Sequence, residues 1–155
     1  MQLYRLVYYS EAAEGLTVQD VREIAAKASV KNRANALTGG LLYCEGKFLQ
    51  ILEGGLHPVN KLFQRILLDL RHKNVNLIDF SKVHKRAFSG WEMSLVFFPT
   101  SNEFLPEYLR YSHETTFDPM NLDGDACIEF MQDLFHKRKL NQEKPREFKR
   151  TELTV

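Results

Sequence analysis

The apolar residues of this chain change their spacing in a set order, two-residue, helical, two-residue twice, helical, two-residue, and that order restricts the fold to a small group. Residues 3 to 9 alternate Tyr4, Leu6 and Tyr8 against Leu3, Arg5, Val7 and Tyr9, and both sets are largely apolar, which predicts a central strand. Thr17 followed three residues on by Asp20 is a weak capping box. Val21, Ile24, Ala25 and Ala28 then recur at helical spacing, so a helix is predicted over residues 18 to 29. Residues 37 to 43 and 48 to 53 read as two short strands around Glu45-Gly46-Lys47, a hairpin turn with its glycine at positive φ. Gly54-Gly55 stops the second strand. From Pro58, the residues Val59, Leu62, Phe63, Ile66, Leu67 and Leu70 form the clearest helical stripe in the chain. Residues 76 to 84 and 91 to 98 close the series as strands, the latter with Trp91, Met93, Leu95 and Phe97 alternating against Glu92, Ser94, Val96 and Phe98.

The order β-α-β-β-α-β is the ferredoxin-like pattern, an α+β fold, here with a fifth strand appended. Such a sheet carries two helices on one face and leaves the other bare. After the break at Pro99-Thr100-Ser101-Asn102, a short helix near residues 103 to 111, a turn at Asp118-Pro119 and a helix near residues 123 to 139 are expected to cover that second face. Cys127, Ile128, Phe130, Met131, Leu134 and Phe135 supply the apolar side of the last helix. The chain thus divides into a domain over 1–98, a helical extension over 99–140, and a basic, flexible tail over 141–155.

Composition excludes several functions. With 155 residues, 21 Lys+Arg and 20 Asp+Glu, the net charge of +1 generates no field that would draw the chain to nucleic acid or an anionic membrane. No apolar run approaches the ~20 residues of a membrane span, and Met1-Gln2-Leu3-Tyr4-Arg5 does not open a signal segment, so a cytoplasmic location is expected. Cys44 and Cys127 stand alone and read as free thiols; His57, His72, His84, His113 and His136 have no metal-ligand spacing, so no metal is expected. The nucleotide-loop, zincin and hydrolase-elbow motifs are missing, and no catalytic residue is expected. An acylphosphatase-like hydrolase, one enzyme of this topology, would need a basic loop after the first strand, where residues 10 to 16 are acidic.

Polar and redox-capable side chains do stand where a core would favour Leu or Val: Tyr8 late in the first strand, Asn32 after the first helix, Gln50 amid Phe48, Leu49, Ile51 and Leu52, and Trp91 and Met93 on the last strand. A buried primary amide requires partners. Gln50 can donate to one group, accept from another, and exchange those roles by rotating or tautomerising, while a phenol such as Tyr8 can give up both an electron and a proton. Singly, each residue has a structural reading: Tyr8, Trp91, Met93, Ile24 and Ile66 as packing, Asn32 as a turn residue, and Arg65 with Asp69 as a surface ion pair.

Together, Leu3-Tyr4-Arg5-Leu6-Val7-Tyr8, the Asn32 to Gly39 stretch, Leu41-Leu42-Tyr43, the run from Phe48 through Gln50 to Gly54, Arg71-His72 and Trp91-Glu92-Met93 resemble the BLUF domain, a blue-light sensor that uses flavin, over residues 2 to 98. The resemblance implies non-covalent FAD, with FMN or riboflavin also accommodated by a pocket that mainly grips the ring, held between the two helices. It implies Tyr8 as electron and proton donor and Gln50 as the hydrogen-bond relay, left after the photocycle in a changed tautomer or orientation. Asn32 would hold the ring's polar edge, Ile24 and Ile66 its faces, Arg65 and Asp69 its polar periphery, and Lys31, a departure where the family more often has Asn or His, would alter contacts to the flavin side chain or phosphate. Tyr9 replaces a frequent Ser, but strand alternation points it to the opposite face from Tyr8. Met93 and Trp91 would carry the change outward to the C-terminal helices. The expected output is light-dependent affinity for an unidentified protein partner, with a homo-oligomer also expected. The alternatives are a flavin-free adaptor of the same fold and the hydrolase.

Overall fold

The computed structural model describes residues 2–143. Strand β1 (Leu3–Ala12) leads to helix α1 (Val18–Ala34), the hairpin β2 (Thr38–Cys44) and β3 (Lys47–Gly54), helix α2 (Leu56–Leu68), and strands β4 (His72–Val83) and β5 (Ser94–Phe98). The sheet order is β4-β1-β3-β2-β5. Each β-α-β crossover leaves room for one strand of the other unit, so β1 and β3 lie side by side at the centre, antiparallel. The fifth strand joins the edge parallel to β2. This is the expected α+β, ferredoxin-like sheet with one strand added.

Local chemistry explains the element ends. Thr17 caps α1 with the reciprocal Thr17–Asp20 box, which also holds the Asp20 carboxyl below its ordinary pKa. The β2–β3 turn places Glu45 at φ 51 and Gly46 at φ 74, the doubly left-handed turn that matches strand twist. Helix α1 runs five residues past the predicted end at 29, because its inner face turns polar rather than ending: Asn32 is buried on its last turn, not beyond it. Helix α2 stops at Leu68, leaving Leu67 and Leu70 exposed instead of completing the stripe. Strand β4 begins at His72, four residues early, its polar first half concealed by its edge position and two register shifts against β1.

The last strand is shorter than predicted. Trp91 and Met93 precede β5, so they escape strand alternation and point to opposite faces: Met93 packs with Tyr8 and Leu41, whereas Trp91 stacks on Phe135 of α4 (Gly124–Glu143). The predicted helix at 103 to 111 is a 3-10 turn (Ser101–Phe104) and a single α-turn, α3 (Leu105–Tyr108). With α4 they cover the second face as expected, burying Phe104, Tyr108, Phe117, Phe130 and Met131 against Val7, Leu49 and Ile51. Of the predicted tail, residues 141 to 143 continue α4 and the remainder lies outside the described residues.

Candidate functional site

Between α1, α2 and the sheet lies a cavity of about 380 Å³, within the roughly 300–1,000 Å³ range of small-molecule sites. Tyr8, Ile24, Lys31, Asn32, Gln50, Arg65, Ile66, Asp69 and Met93 all line it, so the fold gathers every predicted site residue except Trp91.

Its floor follows from register. Tyr8 on β1 is the direct cross-strand partner of Gln50 on β3, and directly opposed residues share a face. The Tyr8 hydroxyl donates to Gln50 Oε1, and Gln50 Nε2 donates to Met93 Sδ at 3.3 Å. Both halves of the amide are therefore engaged, which resolves the cost of placing it in an apolar strand. Burial pushes the Tyr8 phenol well above its ordinary pKa, and the nearby Asp69 charge adds to the effect.

The walls are held by side chains that fix the backbone around this pair. Asn32 Nδ2 donates to Glu92 O at 2.7 Å, and Arg33 pairs with the Glu92 carboxylate, so the last turn of α1 grips the residues just before Met93. His72 bridges Ile66 O at 2.6 Å and the Ser10 hydroxyl at 2.9 Å, its Nε2–H donating to the carbonyl. Asp69 pairs with Arg71, at 2.6 Å to Nη2, rather than with Arg65 one helical turn away; those hydrogen bonds hold the Asp69 carboxyl below its usual range. Tyr9 points to the opposite face, where burial and the Glu11 and Asp118 charges raise its pKa.

One buried group carries more of this architecture than its place in the sequence suggested. Glu53, fully buried, accepts from Arg5 Nε and Nη2 at 3.0 and 2.9 Å, from Thr38 Oγ1, and from the backbone N–H groups of Ala87 and Phe88 at 2.8 and 2.9 Å. It ties the loop that delivers Trp91 and Met93 to the sheet. The signal was available: a carboxylate ending the apolar run from Phe48 requires partners for the same reason as Gln50. Lys27, His57, Lys61 and His72 also line the cavity and could not be assigned to it from spacing alone.

The cavity thus has an apolar body, from Ile24, Ala25, Leu62 and Ile66, and one polar end with a phenol and two amides, of which Asn32 Oδ1 makes no protein hydrogen bond among the described residues. A flat heteroaromatic with an apolar end and an edge of ring N–H and carbonyl groups fits that donor and acceptor set.

The comparisons agree. Residues 3–94 match the family model of BLUF, sensors of blue-light using FAD, and this chain belongs to that family. The alpha subunit of photoactivated adenylate cyclase of Euglena gracilis is 33% identical over 116 residues; the match takes in 70% of this chain but only 11% of that protein. The photo-activated state of BlsA superposes with a TM-score of 0.76 at 30% identity, covering 85% of this chain and 94% of that one. The dark-state structure of BlrB, a BLUF protein, gives 0.71 at 25% identity, covering 88% and 97%. The matched residues are accordingly a flavin-binding light-sensor domain, and FAD is the family's chromophore. Among the described residues no group of His, Cys, Asp and Glu could hold a metal ion, and no helix is long and apolar enough to cross a membrane.

Proposed function

We propose that this chain is a blue-light switch whose moving part is the Gln50 side chain. The observation that carries the reading is the buried hydrogen bond from Tyr8 to Gln50 Oε1 on the cavity floor. Bound flavin would supply the blue absorption and, in its excited state, the electron-accepting power. Tyr8 is the donor. Its raised pKa keeps it a neutral phenol in the dark, so it loses its proton only as it loses an electron, and Gln50 Oε1 is the acceptor already in place. The electron and the proton then return to Tyr8, and Gln50 is left in a different tautomer or orientation, which alters its bond to Met93 Sδ.

Ile24 and Ile66 hold the ring's faces in this reading, and Lys31, Asn32, Arg65 and Asp69 its periphery. From Met93 the change passes through Glu92, tied to Asn32, and through Trp91, stacked on Phe135, to the extension over 99–140. The output is affinity for a downstream protein that differs between dark and lit states, in the range of about 5- to 150-fold that typical couplings support. Exposed Leu68 at the end of α2, Leu70 just beyond it, and Leu77 and Phe80 on edge strand β4 support the expected homo-oligomer. The free thiols Cys44 and Cys127 suit the reducing cytoplasm. The visible spectrum of the purified protein tests the reading: a flavin band that shifts to the red under blue light and returns in the dark is expected. A colourless protein, or a flavin band indifferent to light, overturns it.

A further inference from the structure

Strand β3 grips one loop at two points, from opposite faces of the sheet. Gln50 holds Met93 from the cavity face, and Glu53, three residues on and so on the other face, accepts the backbone N–H groups of Ala87 and Phe88. Arg86 reinforces the second grip, its guanidinium donating to Thr38 Oγ1, Glu53 O and Ala36 O at 2.9, 3.1 and 2.8 Å. Between the two points the chain makes a tight turn: Trp91 N–H donates to Phe88 O at 3.0 Å, and Gly90 supplies the positive φ of 84 that its third position demands. Ser89 and Gly90 at the tip are exposed. Phe88 and Trp91 at the two ends both pack on Phe135 of α4, the first edge-on at 5.5 Å and the second flat at 5.0 Å. The Trp91 end is held by residues bordering the cavity, through Gly39 N–H to Trp91 O, Asn32 to Glu92 O and the Gln50 amide on Met93. A displacement there is either absorbed by the whole loop or passed to Phe135, and the outcome depends on whether the Phe88 end yields. Freeing two buried N–H groups and a buried carboxylate is costly, so that end stays.

We infer that Glu53 is a positioning residue of the light switch: it fixes the Phe88 end of the turn, so that a change in the Gln50–Met93 bond moves the Trp91 end against Phe135 instead of shifting the whole loop. The inference rests on the light-switch reading above. Hydrogen exchange of the full, flavin-loaded native chain, in darkness and under continuous blue light, tests it without a substitution. Exchange is expected to quicken in light at Trp91, whose N–H closes the turn, and to stay unchanged at Ala87 and Phe88. A light-driven change as large at Ala87 and Phe88 as at Trp91 overturns the anchor while leaving the light-switch reading intact. Two variants separate anchoring from stability. Glu53→Gln keeps the side chain's shape but turns an NH2 group towards donors; Arg5→Gln removes the ion pair and leaves both backbone N–H groups on the carboxylate. Tyr8 and Gln50 are intact in both, so both should show the reversible red shift of the flavin band. The light-dependent change in Trp91 emission is expected to be lost in Glu53→Gln and kept in Arg5→Gln. Equal loss or equal retention in the two variants overturns the positioning role of Glu53. A flavin-loaded native chain with no red shift overturns the light-switch reading and this inference with it.

Discussion

The Trp91 indole lies flat on the Phe135 ring, with centroids 5.0 Å apart and planes 11° apart, two residues from the methionine that receives the Gln50 amide. The cavity and α4 are thereby joined by one short segment of chain. Because the chain has a single tryptophan, its fluorescence reports this contact alone. The emission is expected to differ between dark and lit protein, and Phe135→Ala should abolish that difference while the flavin band still shifts. A light-dependent emission that survives in Phe135→Ala would detach Trp91 from the path to α4.

Glu53→Ala should be far more damaging than its position outside the cavity suggests. The carboxylate satisfies Arg5 and two backbone N–H groups in a buried site, and removing one side of such a set typically costs about 3–5 kcal/mol. Urea unfolding measures it. Because the lost partners hold residues 87 and 88, the loop that carries Trp91 and Met93 should also exchange its amide hydrogens faster.

Two neighbouring glycines on β2 should respond differently to alanine. A Cβ on Gly39 would lie 1.9 Å from the Ile51 carbonyl oxygen, and backbone cannot yield without breaking the β2–β3 ladder. A Cβ on Gly40 would meet the Phe135 ring at 2.4 Å, and a side chain can move. Gly39→Ala should therefore unfold the sheet, while Gly40→Ala should fold and displace Phe135 from Trp91, seen as a change in tryptophan emission in the dark.

Stability should fall as the solution becomes alkaline. Burial pushes the Cys127 thiol from 9.0 up to about 12, with the Asp123 and Asp79 charges adding to it, and raises Cys44 likewise to about 12. Between those values the unfolded chain has lost protons that the folded chain retains, so the stabilisation is intact below about pH 9 and is lost as pH rises through that window. The slope from each fully linked thiol approaches about 1.4 kcal/mol per pH unit. Cys127→Ala should flatten the decline of unfolding free energy above pH 9; an unchanged slope would exclude the thiol as its source.

The sequence revealed the frame because both central strands and α2 show their period openly, and it revealed Tyr8, Asn32 and Gln50 because polar groups in apolar runs must be explained. The parts that stayed hidden share one physical cause: their residues answer to partners far along the chain. Asn32 extends α1 because Glu92 O, sixty residues on, accepts its amide hydrogen. Trp91 leaves the strand pattern because Phe135 offers a ring on the other face. Asp69 turns from Arg65 to Arg71 because the chain bends after α2 and brings the guanidinium to it.

The most direct test of the account is the light-minus-dark visible spectrum of Gln50→Leu. Leucine fills the same space on the cavity floor but can neither accept the Tyr8 proton nor donate to Met93 Sδ. The variant is expected to bind flavin and to show no reversible red shift. A red shift of native size in Gln50→Leu would contradict the claim that this protein stores light in the hydrogen bonds of Gln50.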